Sequence, residues 1–133
     1  MLTTLSAACF SAKYQSRRFQ LALVIYLLVL VLGSLPGARA DAAEVASGLV
    51  LHSCCYAFLT FLVFSGRPGT PAQRALVAVL TIAAMGALDE YVQTFFPYRH
   101  GAVSDWVVDC CAAGVTALVL LPLWPALSRL GRS

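Results

Sequence analysis

Four apolar runs, each near the length a helix needs to cross a bilayer, dictate what this chain can fold into. They cover residues 19–35, 46–64, 75–96 and 105–124. A spanning helix takes ~20 residues. In hydrocarbon a helix also satisfies its own backbone hydrogen bonds, which an open strand cannot do. Pro36, Gly37, Gly66, Pro68, Gly69, Pro71, Pro97 and Gly101 break the chain between the runs. Composition agrees: the 133 residues are 60% hydrophobic and only 11% charged, where an average soluble domain carries about 25% charge. The expected fold is all-α and polytopic, a bundle of four transmembrane helices. It has one domain over 19–124, flanked by tails 1–18 and 125–133.

The basic residues orient the bundle. Lys13, Arg17 and Arg18 precede the first run, Arg67 and Arg74 separate the second and third, and Arg129 and Arg132 follow the fourth. Four spans put these on one face of the membrane, leaving only Arg39 and Arg99 on the other. The positive-inside rule then makes both termini cytoplasmic and turns the loops 36–45 and 97–104 outward. The basic residues form no stripe that would hold nucleic acid, and nothing in the sequence requires a cofactor. A second reading treats residues 1–40 as a signal peptide cleaved after Ala38-Arg39-Ala40. The long apolar run to Leu35 and the arginine inside the A-x-A favour an uncleaved span. Residues 5–9, "LSAAC", lack the apolar region that a lipoprotein site requires ahead of it.

Four of the six acidic residues, Asp89, Glu90, Asp105 and Asp109, gather in "LDEYVQTFFPYRHGAVSDWVVD". Counting at 1.5 Å per residue, His52, Glu90 and Asp109 all lie roughly 6–9 Å below the outer ends of their runs. Three helices thus place an ionisable group at one depth. Such groups cost ~2.5–3.5 kcal/mol each at a membrane centre, less near its surface, and are a reason to look for a functional site. Glu90 shares a helix face with Gln93, Asp105 with Asp109, and His52 with Tyr56. Arg99 stands on the outer loop, suited to bidentate pairing with carboxylate or phosphate. The plainer readings are specific too. Asp105, with Ser104, caps the fourth helix. Asp89 points away from Glu90 into an interfacial or solvated setting. Phe95, Phe96, Tyr98 and Trp106 form an interfacial aromatic belt.

Cys54-Cys55 and Cys110-Cys111 sit near the outer ends of the second and fourth runs. With His52 two residues from Cys54, their spacings match no zinc motif, so no metal is expected. The sequence leaves open a disulfide between these two spans.

The stretch D-E-x-x-Q-x-F-x-P-x-R, with Asp six and ten residues after the arginine, resembles the signature of the VanZ-like membrane proteins. The matching positions are Asp89, Glu90, Gln93, Phe95, Pro97, Arg99, Asp105 and Asp109. "H-x-x-x-Y" at His52 and Tyr56 and "LGSLPG" at residues 32–37 extend the likeness over most of 19–124. The chain departs from the pattern at Val92, where a second histidine is common, and at Ala112, where glycine is. It also lacks the lysine often found just before the second-span histidine. The resemblance implies a multi-pass protein of the bacterial cytoplasmic membrane, in a family named for teicoplanin resistance. The candidate catalytic residues are Glu90, Asp109 and His52, and the candidate ligand-binding residues are Gln93, Arg99, Asp105 and Tyr56. The expected partner is a membrane lipid or lipid-linked envelope precursor, and the composition permits a homo-oligomer. Three functions follow: a binding or modulating protein with an outward polar pocket, an intramembrane enzyme using carboxylate/His acid–base chemistry, or a subunit whose polar layer only locks the helices. Proton-coupled transport fits less well, because the inner halves of the spans are almost wholly apolar.

Overall fold

The structure, a computed structural model, describes residues 8–37, 44–99 and 101–131. Arg39, Arg132 and the Ala38-Arg39-Ala40 cleavage site lie outside the described residues, as does most of the 5–9 stretch. The chain is all-helical, with no strand among the described residues. A 3-10 turn, Ala12–Tyr14, leads into α1 (Gln15–Gly33), followed by α2 (Gly48–Ser65), α3 (Pro71–Gln93) and α4 (Val103–Leu130). All four helices are long and apolar enough to cross a membrane, which makes this a multi-pass membrane protein.

The helix boundaries follow from local chemistry. Ser47 caps α2 by accepting from the Val50 N–H. Thr70 and Gln73 form a reciprocal capping box with Pro71 at the first helical position, so α3 starts four residues before its apolar run. The turn before it needs Gly69, whose φ of +122° is open to glycine and strained for other residues. α3 stops at Gln93, three residues short of the run's end, where Thr94 Oγ1 donates to the Tyr91 carbonyl and Pro97 follows. α4 continues through Pro122 and Pro125 to Leu130, beyond the expected end at Trp124. Proline interiors are tolerated in membrane helices, where neighbouring groups can satisfy the freed carbonyls.

Packing is uneven. α2, α3 and α4 pack against one another, while α1 lies along α2 and scarcely meets α3. The outer flank of α1 exposes Leu21, Val24, Leu27, Leu28, Val31 and Leu32, a surface for acyl chains. The core joins Tyr56, Leu59, Val63 and Phe64 of α2 to Ala78, Ile82 and Met85 of α3 and to Ala113, Ala117 and Trp124 of α4. Small residues at these contacts let backbones approach, the usual basis of helix association in lipid.

The basic residues at one end do more than flank the spans. Arg18, buried at 5% exposure, donates from Nε and Nη2 to the Ser65 carbonyl and from Nη1 to the Ala8 carbonyl. Arg74 donates to the Gly69 carbonyl and lies 5.1 Å over the Trp124 ring. Arg18 therefore satisfies the C-terminal end of α2, where unpaired carbonyls and the helix dipole both favour a cation.

Candidate functional site

The opposite end of the bundle holds the acidic residues. α2 and α4 both start there and α3 ends there. Each polar group lies within two turns of a helix end: roughly 6 Å into α2 for His52, ~5 Å before the end of α3 for Glu90 and ~9 Å into α4 for Asp109. The three converge, with one ligand-type atom from each lying within 4.8 Å of the others. His52 Nδ1 is 2.9 Å from Asp109 Oδ1, and its Nε2 is 4.0 Å from Asp105 Oδ2. The His52 ring stacks on Tyr56, with centroids 6.0 Å apart. Asp109 is fully buried; Glu90 and Gln93 are nearly so.

Gly86 makes room for this arrangement. A Cβ there would come within 2.9 Å of Asp109 Oδ2 and 3.2 Å of the Trp106 ring. Glu90 closes the site from α3. Its Oε2 accepts from the backbone N–H of Ala102, the residue that caps α4. Ala102 offers no side-chain cap of its own, so the Glu90 carboxyl from the neighbouring helix accepts the N–H at this positive end. The N-cap is thus Ala102 rather than Asp105, although Asp105 does place an acid in the first turn of α4, at its positive end. Asp105 lies inside the first turn of α4, with Ser104 Oγ 3.4 Å from its Oδ1.

Asp89 also differs from the expectation. It is buried at 4% exposure and accepts from the Tyr56 hydroxyl at 3.2 Å. Adjacent helical residues point about 100° apart, and α3 packs against two helices at once. Asp89 thus meets α2 while Glu90 meets the start of α4. Tyr26 was not picked out from sequence either; from the middle of α1 it donates to the Met85 carbonyl at 2.8 Å. A lone hydroxyl within a long apolar run was the only signal. Trp106 is half-buried, and its Nε1 donates to the Ala83 carbonyl at 2.9 Å. Tyr98 and Phe95 are exposed, as a belt requires, with the Tyr98 hydroxyl tied to the Ser34 carbonyl.

Four buried polar atoms here have no hydrogen-bond partner among the described residues: Glu90 Oε1, Gln93 Oε1, Asp109 Oδ2 and Arg99 Nε. Arg99 is partly exposed and forms no ion pair with any carboxylate among the described residues. The five cysteines are free thiols, so no disulfide joins α2 to α4. Between α3 and α4, an open groove of about 340 Å³ runs past Ala87, Glu90, Tyr91, Thr94, Gly101 and Trp106. Glu90 belongs to both groove and cluster.

Fold and site together define a four-span membrane protein with a buried, incompletely satisfied polar cluster at one end and a lateral groove beside it. No family model matches the chain, and neither a curated protein nor a solved structure matches it.

Proposed function

We propose that this is a VanZ-like protein of the bacterial cytoplasmic membrane that binds or modulates a lipid-linked or cell-wall-related ligand at its outward end, with a bearing on teicoplanin susceptibility. Both termini are cytoplasmic in this reading, because the arginines gather at the end opposite the carboxylates. The observation that carries it is the groove. Its wall is apolar along Ala87, Tyr91 and Trp106, as a lipid chain requires, and polar at Glu90 and Thr94, as a head group requires. Pockets of this size and mixed lining suit small-molecule ligands. Arg99, whose buried Nε has no partner among the described residues, supplies a fork for phosphate or carboxylate.

Native mass spectrometry of the protein purified from its membrane, paired with lipid and precursor profiling of cells with and without it, tests this reading. A defined envelope lipid should travel with the wild type and be lost from Thr94→Trp and Ala87→Trp, which fill the groove. Equal lipid in wild type and both variants would reject the reading.

The His52–Asp109 contact favours a second reading, an intramembrane enzyme acting on such a ligand. A carboxylate that orients an imidazole is a common arrangement for general acid–base work. Under it, Glu90→Gln keeps ligand binding and loses turnover; full turnover in that variant would remove Glu90 from the mechanism.

A further inference from the structure

We propose that His52, Glu90 and Asp109 form a binding site for one divalent transition-metal ion, with zinc the best match. The expectation of no metal rested on the cysteine spacings. The set the structure assembles is a different one, drawn from three helices, and no linear spacing could reveal it.

Three observations converge. First, one donor atom from each residue lies within 4.8 Å of the others. Ligands held at ~2.0–2.2 Å around a tetrahedral ion stand roughly 3.3 Å apart, so small side-chain adjustments close the site. Second, Asp109 Oδ2 and Glu90 Oε1 are buried acceptors with no hydrogen-bond partner among the described residues, and their residues are 0% and 8% exposed. Leaving such acceptors unmet costs about 1–3 kcal/mol each, and more when they are charged. A cation held among the three residues would offer such acceptors a partner. Third, Gly86 keeps clear the space beside Asp109 Oδ2 that any side chain would fill.

The donor set selects the ion. One imidazole with two carboxylates suits zinc and its first-row neighbours. Magnesium and calcium favour six or more oxygen ligands. Asp105 Oδ2 lies 4.0 Å from His52 Nε2, longer than a hydrogen bond but on the side from which an outer carboxylate would orient a metal-bound imidazole. Three protein ligands would leave one position of a tetrahedral ion for water or another ligand.

Full-length protein in nanodiscs, stripped with chelator, is titrated with Zn²⁺ and separately with Co²⁺. The expected result is one equivalent of Zn²⁺ per chain. The Co²⁺ form should show d–d bands of nitrogen and oxygen ligation, without a thiolate charge-transfer band. Asp109→Asn and Glu90→Gln should each weaken Zn²⁺ binding by more than about a hundredfold, beyond what loss of an outer-shell partner costs. Replacement of all five cysteines by serine should leave it intact. If Asp109→Asn does not fold, as judged by helical circular dichroism, Glu90→Gln and His52→Gln carry the comparison. No saturable binding by wild type, binding unchanged in the ligand variants, or binding lost with the cysteines would each overturn the site. The titration uses metal alone, so its outcome is independent of whether the groove holds lipid.

Discussion

Replacing Gly86 with alanine, and Gly114 with alanine as its control, is a direct test of the packing around Asp109. Both glycines lie inside long helices, so both substitutions gain helix propensity, about 1 kcal/mol. Their surroundings differ. A Cβ at Gly114 meets nothing within 4 Å. A Cβ at Gly86 would press against Asp109 Oδ2 at 2.9 Å, Trp106 Cδ1 at 3.2 Å and Asp109 Cβ at 3.3 Å. The terminal oxygen cannot swing away freely, because its carboxylate is held through Oδ1 by His52 and the side chain is fully buried. Overpacking of this kind costs ~1–3 kcal/mol. Gly114→Ala should therefore stabilise the protein by up to about 1 kcal/mol. Gly86→Ala should fall ~1–3 kcal/mol below it, near or beneath wild type. Reversible unfolding by SDS titration in mixed micelles measures both. Equal stabilisation by the two alanines would show that Gly86 is not needed for the close approach of α3 to α4, and the account of the site would fail with it.

Arg18→Ala should destabilise by ~2 kcal/mol, since charged hydrogen bonds to the Ser65 carbonyl are lost; the same titration checks it, and an unchanged midpoint would make Arg18 a mere flanking charge. Tyr56→Phe leaves Asp89 Oδ2 without its hydroxyl donor in a buried place, costing ~1–3 kcal/mol. Asp89→Asn should lose its further effect in that background, as a double-mutant cycle would reveal. Reporter fusions at either terminus should be active only as cytoplasmic reporters; a periplasmic signal from either end would invert the proposed orientation.

Much of this architecture was readable in advance, because spanning a bilayer leaves few options: long apolar runs become helices. The boundaries were less so. The α3 start was encoded in Thr70-Pro71-Ala72-Gln73, a capping signature that hydropathy ignores. Hydropathy bounds the fourth run at Trp124, whereas the helix itself carries on through Pro125 to Leu130. Counting residues from the helix ends placed His52, Glu90 and Asp109 at one level, and they do meet. Depth is one coordinate; the angle around the helix is another, and it depends on the neighbours. Asp89 shows this. Its burial follows from α3 being packed on two sides, a fact of tertiary arrangement that no periodicity contains. The same holds for Arg18 and Arg74. Their charge was legible as a topological signal, but the Ser65 carbonyl that Arg18 meets and the Phe64 carbonyl and Trp124 ring that Arg74 meets belong to other segments.

The loose fit of α1 has a consequence for the order of events during synthesis. Two of its long-range hydrogen-bonding side chains, Arg18 and Tyr26, find partners 47 and 59 positions further along the chain. At translation rates of ~5–20 residues per second, the partners emerge roughly 2–12 s later. For that interval α1 is held in the bilayer by its apolar flank alone. Newly made α1 is thus a provisional anchor, and it is the arrival of Ser65 and then Met85 that fixes its place against the other three helices.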